Sequence, residues 1–215
     1  HHLSLALGTG NVTPLQIATG YTVFANGGFK VEPWWVSRIE NDKGETVYTA
    51  NPYAACPPPC INVSQQEEDA ASALNSAQNT PDVAATSNES LAEYNESAET
   101  SGVGDAIQYR QAPRVEEARI IWLINSMMQD VIKRGTARKA LELKREDIAG
   151  KTGTTNDQKD AWFSGFNPNI VTSVWLGFDN PANLGGAEYG GTAALPIWID
   201  YMREALKDKP DLPAP

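Results

Sequence analysis

The sequence predicts an α+β domain, and three observations lead there. A helix with both ends marked opens the chain at "VTPLQIATGYTVFANGG", two apolar strands joined by a tight turn lie at "DAWFSGFNPNIVTSVWLGFD", and two further apolar-striped helices precede and follow them. Helical and strand periodicities therefore both occur along the chain, and they leave the order of strands in the sheet open.

Each element has a local cause. Thr13 caps the first helix, Pro14 occupies its first position, Gln16 completes a capping box with Thr13, and Gly27 or Gly28 ends it in a left-handed conformation. Leu15, Ala18, Tyr21, Thr22 and Ala25 share its expected apolar face. "FKVEPWWVSRIENDKGETVYTA" then reads as two strands joined at "NDKG", with Val36, Ile39, Val47 and Tyr48 as their apolar residues. From Ser64 to Gln108 the composition shifts to Gln, Glu, Asp, Asn, Ser, Thr and Ala with no Lys or Arg. So little apolar surface cannot offset the entropy of ordering, and the segment reads as a flexible acidic insertion.

In the next helix Val115, Ala118, Ile121, Trp122, Ile124, Met128, Val131 and Ile132 form one broad apolar face, and Gly135 stops it. Glu116 and Glu117 suit its first turn, and Lys133 and Arg134 its last. The strand at 170–178 alternates with apolar residues on both faces, so it and its partner are expected to be central strands covered on both sides. The last helix, "ALPIWIDYMREALKD", is expected to bury Ile197, Ile199 or Trp198, Tyr201, Met202 and Leu206 before a proline-rich tail at 209–215.

Composition narrows the functional classes. Acidic residues outnumber basic ones 27 to 17, and no basic patch stands out, so nucleic acid is not an expected partner. No apolar run is long enough to cross a bilayer. The chain lacks an initiator Met and opens almost directly into structured-looking sequence, which suggests a piece of a longer protein. Cys56 and Cys60 in "CPPPC" cannot complete a four-ligand zinc site, and no histidine lies near. They read as a local disulfide closing a small rigid loop, which favours an exported, oxidising compartment.

The chemistry concentrates in "IAGKTGTTNDQKDAWFSGF". Read as Gly-Lys-Thr it would be the end of a phosphate-binding loop, but Arg145 stands where that loop needs a glycine. Read as Lys-Thr-Gly on a strand, Lys151 projects an ammonium, Thr152 and Thr154 offer hydroxyls, and Gly153 leaves room for a substrate backbone. That set suits an extended peptide ending in a carboxylate and added along the strand edge.

At this point "GKTGTTNDQKDAWFSGFNPNIVTSVWLGFD", with "VTPLQIATGYTVFANGG" before it and "ALPIWIDYM" after it, resembles the C-terminal half of the transpeptidase domain of class A penicillin-binding proteins. The resemblance covers 1–63 and 109–208 and leaves out the insertion at 64–108. It implies a β-lactamase/transpeptidase-like fold, an antiparallel sheet with helices packed on both faces, of which this chain is part. It also implies a serine D-Ala-D-Ala transpeptidase that cross-links peptidoglycan stem peptides, is trapped by β-lactams and needs no cofactor for that reaction.

Carried onto this sequence, Lys151 would orient the proton-transfer network, and Thr152 and Thr154 would bind the terminal carboxylate. The Thr154 N–H would form half of an oxyanion hole, with Thr155 and Asn156 as neighbours. The family's Ser-x-x-Lys and Ser-x-Asn do not occur in the chain, so the resemblance places them in an N-terminal part of the same domain. It also implies a membrane anchor, a glycosyltransferase domain and a periplasmic location for the full-length protein. Two other readings share the fold: a non-catalytic scaffold that docks partners through the acidic insertion, and a serine β-lactamase, against which the extended block argues.

Overall fold

The computed structural model describes residues 10–55 and 107–213, which divide into two compact units. Cys56 and Cys60, with the expected disulfide, lie outside the described residues, as does nearly all of the segment 64–108.

The larger unit, residues 10–33 and 112–213, is built on three antiparallel strands. β5 (Ala149–Thr154) pairs with β6 (Asp160–Asn167), which pairs with β7 (Ile170–Gly177). β6 is the middle strand and buries Ala161, Phe163, Ser164, Gly165, Phe166 and Asn167. β7, expected to be central, is instead an edge strand among the described residues and is only half-buried.

Helices cover both faces, as the alternation in the sequence requires. Residues 161, 163 and 165 of β6 point to the face covered by the last helix, α3 (Leu195–Ala205), where Phe163 meets Trp198 edge-on at 4.9 Å. Leu195, Trp198, Ile199 and Met202 are buried there, whereas Ile197 and Tyr201 are about half exposed. Trp198, Ile199, Met202 and Leu206 are buried as expected, whereas Ile197 and Tyr201, also expected inside, lie on the side of the helix turned away from the sheet. Burying so large an indole is among the largest single apolar contributions available to this core.

On the opposite face α1 (Pro14–Ala25) and α2 (Ala118–Lys133) meet Ala149 and Phe166 through Tyr21, Phe24, Ala25, Ile124 and Met128. The expected capping box of α1 is present in full, with Pro14 in its first turn. Gly27 and Gly28 follow it at φ of 80° and 106°. Packing uses the C-terminal half of α1, so Leu15 in its first turn is exposed. Along α2, Ile121, Asn125, Met128 and Ile132 are buried, while Trp122 and the preceding Val115 are exposed among the described residues. The inward stripe is therefore narrower than the periodicity predicts.

The smaller unit, 34–55 and 107–111, holds two short pairs. β1 (Arg38–Glu40) and β2 (Thr46–Thr49) form the expected antiparallel hairpin. Its turn is closed by the Asn41 side chain, which accepts from the N–H groups of Lys43 and Glu45, and by Gly44 at φ 78°. Val36, Ile39, Val47 and Tyr48 are exposed among the described residues, so this hairpin has no apolar core of its own. β3 (Tyr53–Ala54) and β4 (Arg110–Gln111) pair in parallel at the two roots of the excursion, with the Arg110 guanidinium 4.0 Å over the Tyr53 ring.

Candidate active site

The Lys-Thr-Gly residues lie on β5, whose outer edge is unpaired among the described residues. Thr155 N–H donates to Asp160 O at 3.0 Å, so 155 and 160 face each other as a hydrogen-bonded pair. Antiparallel pairs alternate, and Thr154 opposite Ala161 and Thr152 opposite Phe163 are then the non-bonded positions. The N–H and C=O groups of Thr152 and Thr154 consequently point away from β6, toward the open edge. Lys151 already uses that edge, for its Nζ donates to Thr152 O at 2.9 Å.

Side chains alternate across the same strand. Lys151 lies on the face of α1 and α2, beside Ser164 and Ser173, whose hydroxyls are 2.6 Å apart. Thr152 and Thr154 lie on the other face, toward the π-turn Gly190–Ala194 that leads into α3. There Gly190 N–H donates to Thr154 Oγ1 at 3.0 Å, and the Thr152 hydroxyl stands 2.7 Å from that of Thr136.

Two glycines make this approach possible. A Cβ on Gly190 would fall 2.2 Å from Trp162 O and 2.6 Å from Gly153 O. One on Gly153 would sit 3.1 Å from Trp162 Cβ. A side chain at 153 would thus crowd Trp162 by a few tenths of an ångström, whereas one at 190 would run into backbone carbonyls.

The turn after β5 is braced rather than open. Thr155 Oγ1 accepts from Asp160 N–H at 2.8 Å and faces the Asp160 carboxylate at 3.3 Å, so its hydroxyl closes the β5–β6 turn. Asp160 also accepts from Trp175 Nε1 at 2.8 Å. Asn156 begins a short 3₁₀ turn in which Asp157 and Gln158 adopt left-handed φ. Leu184 N–H donates to Gln158 O at 2.9 Å, and Asn183 Nδ2 donates to Asp157 O. The glycine-rich stretch at 180–193 thus backs the candidate site from two directions.

The sequence reading placed Lys151, Thr152, Gly153 and Thr154 together, and the fold keeps them together. It missed Thr136, Asp160 and Gly190, which come from three other segments. No group of acidic, histidine or cysteine side chains suited to a metal ion occurs among the described residues.

The chain as a whole matches a known family. Residues 2–203 match the model for the penicillin-binding protein transpeptidase domain. The chain belongs to that family. It is 51% identical over 209 residues to penicillin-binding protein 1A of Pseudomonas aeruginosa, covering 97% of this chain and 24% of that protein. It is 41% identical over 207 residues to penicillin-binding protein 1A of Neisseria gonorrhoeae, covering 96% of this chain and 19% of that one. The crystal structure of penicillin-binding protein 1A from Haemophilus influenzae superposes with a TM-score of 0.70 at 34% identity, covering 98% of this chain and 28% of that chain.

These matches establish the α+β transpeptidase fold. The chain spans about a quarter of the length of the first relative it matches and about a fifth of the second. No helix among the described residues is long and apolar enough to cross a membrane.

Proposed function

We propose that this penicillin-binding segment supplies the carboxylate-binding strand of a serine-type D-Ala-D-Ala transpeptidase in peptidoglycan cross-linking. The observation that carries the proposal is the arrangement on β5. Lys151 reaches the open strand edge, and the hydroxyls of Thr152 and Thr154 are held together on the face toward Gly190. Cation and hydroxyls so placed can grip a carboxylate, and the edge backbone can add an extended stem peptide as a further strand.

The proposed reaction has two steps. A serine oxygen from the N-terminal part of the domain attacks the penultimate D-Ala carbonyl, whose oxygen takes up charge near the Thr154 N–H. The C–N bond then breaks, the leaving D-Ala amine takes the serine proton, and an acyl-enzyme ester remains. An amine of a neighbouring stem then attacks the ester carbonyl, the new C–N bond forms as the ester C–O bond to serine breaks, and the proton lost by the amine returns to the serine oxygen. A β-lactam would follow the first step and stall at the second. The Lys151 ammonium adds positive potential throughout, and the chemistry asks for no cofactor.

The proposal extends to context. Ser-x-x-Lys and Ser-x-Asn must come from the N-terminal part of the same domain, in a longer membrane-anchored protein acting in the periplasm. The segment 64–108 is a flexible acidic insertion, a reading its composition supports. Labelling of the longer protein with a fluorescent penicillin tests the reading. A covalent label retained through denaturation is the expected result, and its absence from a folded protein overturns it.

A further inference from the structure

Thr136 is exposed, yet its position is tightly specified. It follows Gly135, where a Cβ would fall 2.7 Å from Val131 Cα, so the chain turns sharply at the end of α2. Ala137 N–H donates to Val131 O at 3.0 Å, and the Ala137 side chain is fully buried in the core. On the far side the Thr136 carbonyl backs onto Gly191, where a Cβ would come within 2.8 Å of it. Three segments, the end of α2, β5 and the turn before α3, therefore converge on the contact between Thr136 and Thr152.

Proton inventory gives that contact a direction. The Thr152 hydroxyl has one proton and two lone pairs. Lys151 Nζ, a donor only, lies 3.5 Å from Thr152 Oγ1, and Thr136 Oγ1 lies 2.7 Å from it. A carboxylate is an acceptor only, so Thr152 can grip one only by giving it that single proton. Thr136 must then donate to Thr152 rather than accept from it. A chain running from Thr136 through Thr152 to the ligand satisfies every group and polarises each successive bond.

Resting on the acyl-transfer reading above, we propose that Thr136 is a positioning residue, which directs the Thr152 proton toward the substrate carboxylate. A hydroxyl at 136 thereby sets how tightly carboxylate-bearing stem peptides and β-lactams are held, without touching them.

The test is the second-order rate constant for penicillin acylation of the longer protein. Thr136→Val should lower it about three- to tenfold, the range expected for losing one neutral hydrogen bond. Thr136→Ser should stay within about twofold of the wild type. In a Thr152→Val background, Thr136→Val should change nothing further, because its effect passes through Thr152. Thermal midpoints accompany each measurement, and Thr136→Ala replaces the valine variant if valine lowers the midpoint. A wild-type rate in the valine variant, equal losses in valine and serine, or additive losses with Thr152→Val would each overturn the role of Thr136. Absence of any acylation in the folded wild type would instead remove the activity reading, and this inference with it.

Discussion

Lys151 carries the only full charge among the candidate carboxylate-binding residues 151–154, and its ammonium is tied to the strand edge through Thr152 O. Lys151→Ala removes that charge without disturbing the core, since the side chain is exposed. Penicillin acylation of the longer protein should fall at least about a hundredfold, on the scale of losing a positioned electrostatic group, while the thermal midpoint stays within a degree or two. Acylation that survives unchanged would take Lys151 out of the site. Arg145, the residue that ruled out a phosphate loop, has a structural task instead. It donates from Nε and Nη2 to the two oxygens of Asp147 at 2.8 and 2.7 Å. The serines beside Lys151 are simpler: Ser164 and Ser173 face each other across β6 and β7 with their hydroxyls 2.6 Å apart.

At the scale of elements, the candidate site depends on how closely the turn at 190–194 can approach β5. Gly190→Ala places a methyl against the carbonyls of Trp162 and Gly153, both backbone atoms that cannot swing aside. The variant should lose about 2 kcal/mol of stability, read from denaturant unfolding, and its acylation should fall with it as the Thr154 hydroxyl loses its donor. A stable variant with wild-type acylation would show that the turn does not hold Thr154. Local signals read well at this scale when they concern neighbours in sequence. The capping box of α1, the glycine pair after it, the hairpin at Asn41–Gly44 and the β6–β7 pairing all follow from contacts within a few residues. The facing of helices reads less well, because which stripe is buried depends on what the helix meets. Trp198 turns inward only because Gly165 leaves room for its ring, with a Cβ there falling 2.8 Å from the indole.

Across the whole molecule, the C-terminal tail is tied back to the start of β5. Arg145 donates to the carbonyls of Lys209 and Pro210, Glu146 N–H donates to the Asp211 carboxylate, and Leu212 N–H donates to that of Asp147. Burial alone would raise Asp147, but hydrogen bonds from Arg145, Asn167 and Leu212 outweigh it and hold its carboxyl below the ordinary range. A depressed folded value means stability that is present above the unfolded pKa and lost as pH falls through the folded one. Breaking such a buried pair typically costs about 3 kcal/mol. Asp147→Asn should therefore be less stable than the wild type by about that much at pH 6, and the gap should close in acid, below about pH 4 where an unfolded aspartate begins to protonate. A gap that stays constant down to pH 3 would mean that the charge of Asp147 does not hold the tail.

By itself the sequence determined the α+β class, the three main helices, the β1–β2 hairpin, the Lys-Thr-Gly strand and, through its resemblance, the family, because each rests on periodicity, capping or a contiguous block of residues. Only the tertiary structure decided that Thr136, Asp160 and Gly190 surround that strand, that Thr155 closes a turn, and that residues 209–212 return to Arg145 and Asp147. The physical reason is range. A cap or a hairpin turn is settled within one turn of chain, whereas Thr136 to Thr152 or Asp147 to Leu212 become neighbours only once the core has set the helices against the sheet.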